Sequence, residues 1–569
     1  MTIGAPPPAG TFLVALSRRN PGAVLDAQEP PRGATRDEDG RWIVGDVLLT
    51  DCESLRAPLG AVPPRSDEAL ALAAIARHGA GDSLALHGEF AFVAWDAPNR
   101  RLLVARDGLG LRPCFVAVTA EMIGVSNDPA LLARQRGVDA SLDEGALAAY
   151  LVDGMDPDAT RTVYRGVRSV PAGHTWQWDT DAGAPTVRRH WCFPAPAVRR
   201  PRDARELPER FNLALDAAVR DRVRGPRASI LLSGGIDSSS IAASLRDACP
   251  DVELRAWTAT YEPLLADRET PWTRRVAEHL GVPLEVVGCA ASPAVSPVGE
   301  PALPAPLDEP TWTEWRRLVQ SAGSWSDSTF YGVDGDALLA PASLAGMLRA
   351  ERLPDVANAI VSYAVRRRRL PHLGTGLLRL VRRGAGSPAR PAKPAWLRDA
   401  ACAAAAVAPA FDVEPLAPHP SRGRSQSLLT SPVWHSLVPS WSAPWTGAAT
   451  AFRLPLLDDR LLEVVMSAPS VPWLNGKELM RAAAELRGAL PADVIRRPKL
   501  TVRGHTDALV AAWRAHWDGA VQIAPEIAAW VDAAMLRRAL AEGSTFDVAD
   551  AWRVLELSAW LDDRRTRTT

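Results

Sequence analysis

Cysteine is scarce and scattered in this chain of 569 residues. Its six cysteines lie far apart and form no CxxC pair, which excludes the usual spacing of a zinc site and of a disulfide framework. We therefore expect free thiols and a reducing, cytoplasmic setting.

Net charge and long hydrophobic runs are also missing. The 65 basic and 66 acidic residues leave a formal charge of −1, so no overall field directs the chain to nucleic acid or membrane. The longest apolar tract, residues 400–410, is far shorter than the roughly 20 residues of a membrane helix. No signal peptide is evident, because the apolar run at 11–16 is short and has no basic start. We expect neither a nucleic-acid nor a membrane partner.

The stretch at residues 229–240, SILLSGGIDSSS, carries the strongest pattern. Its apolar start predicts a buried strand, its glycine pair a turn, and residues 238–246 a helix. Glycines allow a ligand close to the backbone, and the first helical turn offers unpaired N–H groups, which suits a phosphate. The carboxylate of Asp237 would repel that phosphate unless Mg²⁺ bridged them. A phosphate and metal site is thus one interpretation, and a tight βα turn without ligand is the other.

Residues 233–238, SGGIDS, resemble the SGGxDS pyrophosphate loop of ATP pyrophosphatases of the asparagine-synthetase class. Members activate a carboxylate as its AMP ester and release pyrophosphate. The resemblance implies ATP and Mg²⁺ as cofactors. It implies ATP or pyrophosphate binding by Leu232, Ser233, Gly234, Gly235, Asp237, Ser238 and Gly335. The Walker lysine is absent, which disfavours transfer of the γ-phosphate.

Residues 328–336, STFYGVDGD, resemble the second loop of this family, GxGxDE. The resemblance implies that Asp336 joins Asp237 as a magnesium ligand. Three positions depart from the pattern: Asp334 replaces a glycine, Ala337 an acid, and Val333 stands where asparagine synthetases carry Glu and β-lactam synthetases Tyr. These departures disfavour a specific assignment either to the asparagine synthetases or to the β-lactam synthetases.

Residues 1–192 predict a layered α/β domain, since strand patterns at 41–49, 89–96 and 101–105 surround a helical pattern at 67–78. Its motifs HGEFAF (87–92) and ARDGLGLRP (105–113) resemble the glutaminase-type domain of asparagine synthetases, an Ntn-hydrolase αββα sandwich. Active members begin Met-Cys, whereas this chain begins Met1-Thr2. Although threonine serves as a nucleophile on other folds, we expect a degenerate domain that does not hydrolyse glutamine. Asp107 and Arg112 are interpreted as a buried structural pair.

A proline-rich linker at 193–205 separates this domain from a synthetase domain at 206–569. Alternating strand and helix patterns after the linker predict a doubly wound parallel sheet, with its ligand at the carboxyl ends of the strands. A basic insertion around 366–398 is either flexible solvated surface or a flap that covers the site or binds an acidic peptide.

The last third contains three further family-like motifs. RLPLLD (453–458) resembles RxPFLD, GKELMR (476–481) resembles GKxxLR, and residues 490–499 resemble LPxxxxxRxK. In β-lactam synthetases and related cyclases the lysine of the last motif points at the acyl-adenylate, which implies a catalytic role for Lys499. A surface lysine is the alternative.

Taken together, the motifs and the basic insertion resemble lasso-peptide cyclases most closely. The resemblance implies adenylation of an Asp or Glu side chain of a linear core peptide, whose N-terminal amine then closes a macrolactam. A leader peptidase and a leader-recognition protein are the implied partners. An asparagine synthetase-like or β-lactam synthetase-like ligase and a non-catalytic peptide-binding scaffold are the alternatives.

Overall fold

The computed structural model describes most of the chain. The described residues are 10–18, 25–26, 31, 33–56, 66–78, 84, 86–179, 184–260, 262, 267–288, 303–309, 312–373, 393–406, 413, 415–498, 505–517 and 519–568. Thr2, Lys499 and most of the basic insertion lie outside these ranges.

Two antiparallel sheets form the N-terminal half. The first has the order β2-β1-β8-β7-β9, with β1 Leu13–Arg18, β2 Leu25–Asp26, β7 Phe115–Val118, β8 Met122–Ser126 and β9 Arg168–Ser169. The second has the order β11-β10-β6-β5-β4-β3, with β3 Thr35–Arg36, β4 Trp42–Leu49, β5 Gly88–Asp96, β6 Arg101–Arg106, β10 His174–Asp179 and β11 Thr186–Arg189. Strands β4, β5 and β6 confirm the strand patterns at 41–49, 89–96 and 101–105, and β5 pairs antiparallel with β6.

The two sheets pack face to face. Val14 and Val125 of the first sheet share a buried cluster with Val93, Trp95 and Val104 of the second. Alternate residues of β5, among them Phe90 and Phe92, face the other way and pack against a helix. The helices of this half are α1 Glu53–Arg56, α2 Asp67–His78, α3 Pro129–Ala133 and α4 Glu144–Asp153. Helix α2 covers the second sheet and α3 the first, so the layers are helix, sheet, sheet, helix.

A parallel sheet organises the following segment, as the alternation of strands and helices predicts. Its order is β14-β13-β12-β15-β16, with β12 Arg227–Leu231, β13 Glu253–Thr260, β14 Leu284–Gly288, β15 Ser328–Tyr331 and β16 Ala451–Arg453. Helix α5, Glu206–Arg220, precedes β12. The strands from β12 to β15 are connected by α6 Ile236–Ala248, α7 Thr270–Leu280 and α8 Trp312–Trp325. The chain runs outward from β12 to β14 and then returns to β15, so the strand order reverses between β12 and β15. Ligands of such sheets bind where the order reverses.

The remaining helices follow β15. They are α9 Gly335–Leu338, α10 Leu344–Ala350, α11 Leu353–Arg367, α12 Asp399–Ala405, α13 Gly423–Leu429, α14 Pro432–Ser440, α15 Ala443–Thr446, α16 Asp459–Ser467, α17 Glu478–Arg487, α18 Ala492–Arg496, α19 His505–His516, α20 Ala533–Glu542 and α21 Thr545–Thr568. None of the described helices is both long and apolar enough to cross a membrane.

The C-terminal helices return to the N-terminal half. Leu509 of α19, Leu536 of α20 and Val554 of α21 share a buried cluster with Leu132 of α3 and Leu147 of α4. The core around the parallel sheet instead extends no further along the chain than Ile495. Residues beyond 505 therefore complete the hydrophobic core of the first half.

A buried ion-pair network joins the two halves. The Arg222 guanidinium donates to Glu89 Oε1 of β5 and to Asp458 Oδ2, both at 2.6 Å, and all three side chains are about 1% exposed. Arg112 donates to the other Glu89 oxygen at 2.9 Å. Burial by itself would raise the pKa of Glu89, but the charges of Arg222 and Arg112 outweigh it and hold that pKa below its usual value.

The predicted pairing of Asp107 with Arg112 needs correction. The Asp107 carboxylate accepts the backbone N–H groups of Leu111 at 2.8 Å and Arg112 at 3.0 Å, which closes the turn. The Arg112 guanidinium extends instead to Glu89 and to the Phe452 carbonyl oxygen. These two charged residues, five positions apart, thus have different roles: Asp107 closes the turn, and Arg112 joins the halves.

His87 adds a second contact between the halves, and it predicts a pH dependence. Its Nδ1 lies 2.7 Å from Asp459 Oδ2, and this hydrogen bond raises the pKa of His87 above its ordinary 6.5. A raised pKa in the folded state stabilises the fold below about pH 6.5, the unfolded value, and the effect is lost as the pH rises through the folded value. We expect His87→Ala to lower the free energy of unfolding by less than about 1 kcal/mol at pH 5.5, because the pair is half exposed.

The measurement is urea unfolding of both proteins at pH 5.5 and at pH 9. The difference between them should shrink at pH 9, and it should be independent of pH when Asp459 is also replaced by Asn. If His87→Ala lowered the free energy of unfolding equally at both pH values while Asp459 was unchanged, the pair of His87 and Asp459 would not cause the pH dependence.

Candidate phosphate and metal site

Two loops meet where the strand order reverses. One follows β12 and contains Ser233 to Gly235, and the other follows β15 and contains Gly332 to Gly335. A Cβ atom on Gly332 would lie 2.8 Å from the Ser238 backbone, and one on Gly335 would lie 2.5 Å from Asp237 Oδ1. Only glycine at these two positions lets the loops pack this closely.

The first loop is braced from within, so its shape does not depend on a ligand. The Ser233 N–H donates to Ser238 Oγ at 3.2 Å, and the Gly235 N–H points toward Ser233 Oγ at 3.4 Å. Gly234 has a φ of 65°, and a Cβ there would lie 2.7 Å from the Thr273 nitrogen. Gly235 caps α6 without a side-chain hydrogen bond to the helix. The loop therefore leaves the positive end of a helix of 13 residues directed at the space beside it.

One lysine bridges the two acids that the sequence predicts as metal ligands. Lys477 Nζ lies 2.5 Å from Asp237 Oδ2 and 3.0 Å from Asp336 Oδ1. Both carboxylates therefore converge on one cation from different loops. Two carboxylate oxygens beside a phosphate cradle are a donor set that suits Mg²⁺, so the residues fit the predicted ion.

Asp334 lies in the same loop as Asp336, at the position where the family pattern has glycine. Its φ of 62° is the left-handed conformation that few side chains adopt, although aspartate tolerates it better than most. Burial, and next the charges of Asp336 and Asp237, raise the pKa of Asp334 to about 7. With Asp334 partly ionised near neutral pH, the three carboxyl groups still carry more negative charge than the one ammonium of Lys477 offsets, which favours a bound cation.

A cavity of about 870 Å³ opens above the two loops. Its wall carries six cationic side chains, namely Arg367, Arg369, Lys477, Arg481, Arg496 and Arg497. The same lining also carries five carboxylates, namely Asp237, Glu269, Asp336, Glu478 and Glu485. A polyanion with its own cation, such as a nucleotide triphosphate with Mg²⁺, matches this distribution of charge.

Two arginines hold the loop that leads to Lys499. The Arg481 guanidinium donates to the carbonyl oxygens of Gly476 and Arg497, both at 3.0 Å, and to that of Ile495. Arg497 donates to the Gly234 carbonyl oxygen at 3.2 Å and stacks over Trp272 at 4.8 Å. The loop is thereby fixed to the phosphate cradle up to Pro498. Lys499 itself lies outside the described residues, and its role stays a prediction.

The residues predicted to bind ATP or pyrophosphate fall into two groups. Ser233, Gly235 and Asp237 line the cavity, as does Asp336. The others support the lining: Leu232 is 3% exposed and its N–H donates to the Trp257 carbonyl oxygen. Gly234 packs against α7, while Ser238 and Gly335 lie where the two loops pack together. Sequence reasoning missed Lys477 as a site residue, although its motif was noticed. The signal was available, because the chain contains only three lysines among 65 basic residues.

Comparison with known families matches both halves. Residues 52–191 match the glutamine amidotransferase domain, and residues 210–318 and 447–562 match asparagine synthase. The first match lies in the half with the two facing sheets, and the second contains strands of the parallel sheet. The asparagine synthase matches contain the cradle, Asp237 and Lys477, whereas Asp336 and α11 lie in the unmatched residues between them.

Several curated proteins resemble parts of this chain. A putative glutamine-hydrolysing asparagine synthetase of Mycobacterium bovis is 31% identical over 231 residues, which are 39% of this chain and 35% of that protein. The carboxyethyl-arginine beta-lactam-synthase of Streptomyces clavuligerus is 28% identical over 254 residues, which are 43% of this chain and 45% of that protein. The amidase chyE of Penicillium rubens is 25% identical over 231 residues, 36% of this chain and 31% of that protein. The chain thus spans about a third to a half of the length of these relatives.

Proposed function

We propose that the chain is an ATP-dependent carbon–nitrogen ligase that adenylates a carboxylate, releases pyrophosphate and joins the acyl group to an amine. The observation that carries this proposal is the convergence of Asp237, Asp336 and Lys477 beside the N-terminus of α6. Two carboxylates and a cation at a phosphate cradle fit magnesium and a pyrophosphate leaving group. Similarity to both asparagine synthetases and a β-lactam synthase supports the reaction class.

Asp237 and Asp336 would hold Mg²⁺ against the phosphates, and the ion would neutralise charge on the departing pyrophosphate. Lys477, which meets Asp237 and Asp336 at this edge of the site, would add positive charge for the phosphates. The backbone N–H groups of the cradle would orient the phosphate chain, and the arginines of the cavity wall would stabilise its charge. The amine attacks the acyl carbon of the adenylate, and AMP leaves with the electrons of the broken C–O bond.

At finer detail, we propose lasso-peptide macrolactam formation. The substrate would be a linear core peptide with an Asp or Glu side chain for adenylation and a free N-terminal amine for ring closure. The arginines of the cavity wall would pair with acidic groups of such a peptide. The N-terminal half would be a degenerate Ntn-hydrolase-like domain, a proposal that its two facing sheets between α2 and α3 support. A leader peptidase and a leader-recognition protein would supply the peptide.

Product analysis with purified protein, ATP, Mg²⁺ and a candidate core peptide tests the proposal. We expect AMP and pyrophosphate in equal amounts and a peptide product lighter by one water. ADP as the nucleotide product would exclude the reaction class. The asparagine synthetase-like alternative would be favoured if pyrophosphate were released without ring closure and free ammonia converted the side-chain carboxylate into a primary amide.

Similarity to the Streptomyces β-lactam synthase favours a second candidate, a ligase that closes a ring within a small amino-acid derivative. Both candidates take the amine from the substrate itself. Pyrophosphate release with each substrate separates them. A small β-amino acid should stimulate the release in the second candidate, and a core peptide should not. A peptide-binding scaffold without catalysis would release no pyrophosphate with either.

Lys499→Ala is a separate prediction for the proposed reaction. Lys499 follows a loop that Arg481 and Arg497 hold against the cradle, and we expect its ammonium to stabilise charge that develops in the transition state. Removal of such a group lowers the rate on the order of 100-fold while ATP affinity stays near normal. Single-turnover kinetics and equilibrium ATP binding measure the two effects. Near-normal turnover would make Lys499 a surface residue.

A further inference from the structure

Helix α11, Leu353–Arg367, leaves an apolar stripe uncovered. Leu353, Val361 and Val365 are 67%, 60% and 74% exposed, and Ala357 between them is exposed too. These four residues recur at every fourth position, so they lie along one face of the helix. The opposite face packs into the protein through Val356 and Tyr363. We call the four exposed residues the α11 stripe.

The α11 stripe leads to the cavity through a run of arginines. Arg366 to Arg369 follow Val365 directly, and Arg367 and Arg369 line the cavity. The Arg367 guanidinium pairs with Glu478, next to Lys477, and the His372 N–H donates to Asn475 Oδ1 at 2.7 Å. These contacts fix the end of α11 beside the site. Arg366, Arg368 and Arg369 are exposed and form no ion pair with a residue that the structure describes.

The segment from residue 353 to residue 373 carries little negative charge of its own. Asp355 is the one acidic residue between 353 and 373, and it lies 3.6 Å from Arg200, on a different side of the helix from the α11 stripe. A surface that is apolar along its length and cationic toward the cavity complements a chain segment with apolar and acidic side chains. The stripe lies between the two segments that match asparagine synthase.

We propose that the α11 stripe and Arg366 to Arg369 form a docking surface for the peptide substrate. Apolar side chains of the peptide would cover the stripe, and its acidic side chains would pair with the arginines, which direct a carboxylate toward the cavity. This inference rests on the proposed function and specifies its substrate: a peptide that combines spaced apolar residues with acidic ones. A small amino acid could not contact the stripe and the cavity together, because the four residues span about three turns of helix, roughly 18 Å.

A binding measurement without ATP tests the surface separately from catalysis. The probe is a fluorescein-labelled synthetic peptide of about five helical turns, with leucine at every fourth position and glutamate beside each leucine. A second peptide replaces every glutamate with glutamine. Fluorescence anisotropy compares the natural chain with Val361→Ser/Val365→Ser and with Arg366→Ala/Arg368→Ala, which spares the cavity arginines. Leu213→Ser is the matched control, since Leu213 on α5 is equally exposed at 67%.

We expect the valine pair to weaken binding about tenfold, because two apolar side chains lose their contact with the peptide. The arginine pair should weaken binding several-fold and reduce its salt dependence, and the glutamine peptide should bind poorly. Leu213→Ser should bind like the natural chain. Absence of binding, or equal affinity in all variants, would overturn the proposal.

Two other occupants are distinguished by parallel measurements. If vesicles with phosphatidylserine bind the chain more tightly than the peptide and the valine pair abolishes it, the surface is a membrane contact and the proposal is wrong. If sedimentation shows a dimer that the valine pair dissociates, the occupant is a second copy, and the proposal is equally wrong. Pyrophosphate release is scored independently, so the ligase can stand while the docking surface fails, and the reverse.

Discussion

Arg222→Ala should lower the free energy of unfolding by about 3–5 kcal/mol, the range found when one partner of a buried charge network is removed. The guanidinium pairs with Glu89 and Asp458, and each of the three side chains is about 1% exposed. Its loss leaves two buried carboxylates with fewer positive partners. Burial by itself would raise the pKa of Asp458, but Arg222 and next Arg460 hold that pKa at about 2, so the carboxylate is ionised whenever the fold is intact.

Urea unfolding at pH 7 measures the effect, with Arg227→Ala as the control. Arg227 pairs with Glu253 at 3.3 Å on the surface, where both side chains are more than half exposed, so its loss should cost about 0–1 kcal/mol. A similar cost for the two variants would show that the network does not join the halves. Arg222→Met separates charge from volume, because it fills the space and still removes one positive partner from Glu89 and from Asp458.

Asp237→Asn should weaken Mg²⁺-dependent ATP binding strongly and lower pyrophosphate release on the order of 100-fold or more. Asn keeps the shape of the side chain but removes the charge that Mg²⁺ and Lys477 share. Affinity and turnover should therefore fall together, unlike in Lys499→Ala, where turnover alone falls. Asp336→Asn should behave in the same way, since its carboxylate meets the same ammonium.

Asp247→Asn is the matched control on the same helix. Asp247 lies in the last turn of α6 and pairs with Arg487 on the surface, away from the cradle. Calorimetric titration of ATP with and without Mg²⁺ should show natural affinity for this variant. If Asp237→Asn kept the magnesium dependence of the natural chain, Asp237 would not hold the ion.

The cradle could be predicted from the sequence because its determinants are local. A short apolar strand, two glycines and a helix start fix the path of the chain within 20 residues, and the structure places β12, the turn and α6 there. The convergence of Asp237 and Asp336 was predicted only through the resemblance. The parallel sheet explains it, because β12 and β15 are neighbours in the sheet where the strand order reverses. The loops that follow these two strands therefore meet.

The ion-pair network and the role of Lys477 were beyond local patterns. Glu89 and Arg222 are 133 residues apart, and nothing in their neighbouring residues indicates a common partner. Lys477 could have been noticed in the sequence, because lysine is rare in this chain. Lysine presents a compact point charge where arginine presents a planar fork, and the single ammonium of Lys477 meets both Asp237 and Asp336.

The shared core of α3, α4 and the C-terminal helices has a consequence for how the chain folds. Leu132 and Leu147 are synthesised more than 350 residues before Leu509 and Val554, with which they share that core. During translation the first half must wait with an exposed apolar face while the parallel sheet is made, and contacts across so long a loop form late. Aggregation of nascent chains should therefore be most severe just before the last helices leave the ribosome, and loss of α21 should harm the yield of the first half more than that of the second.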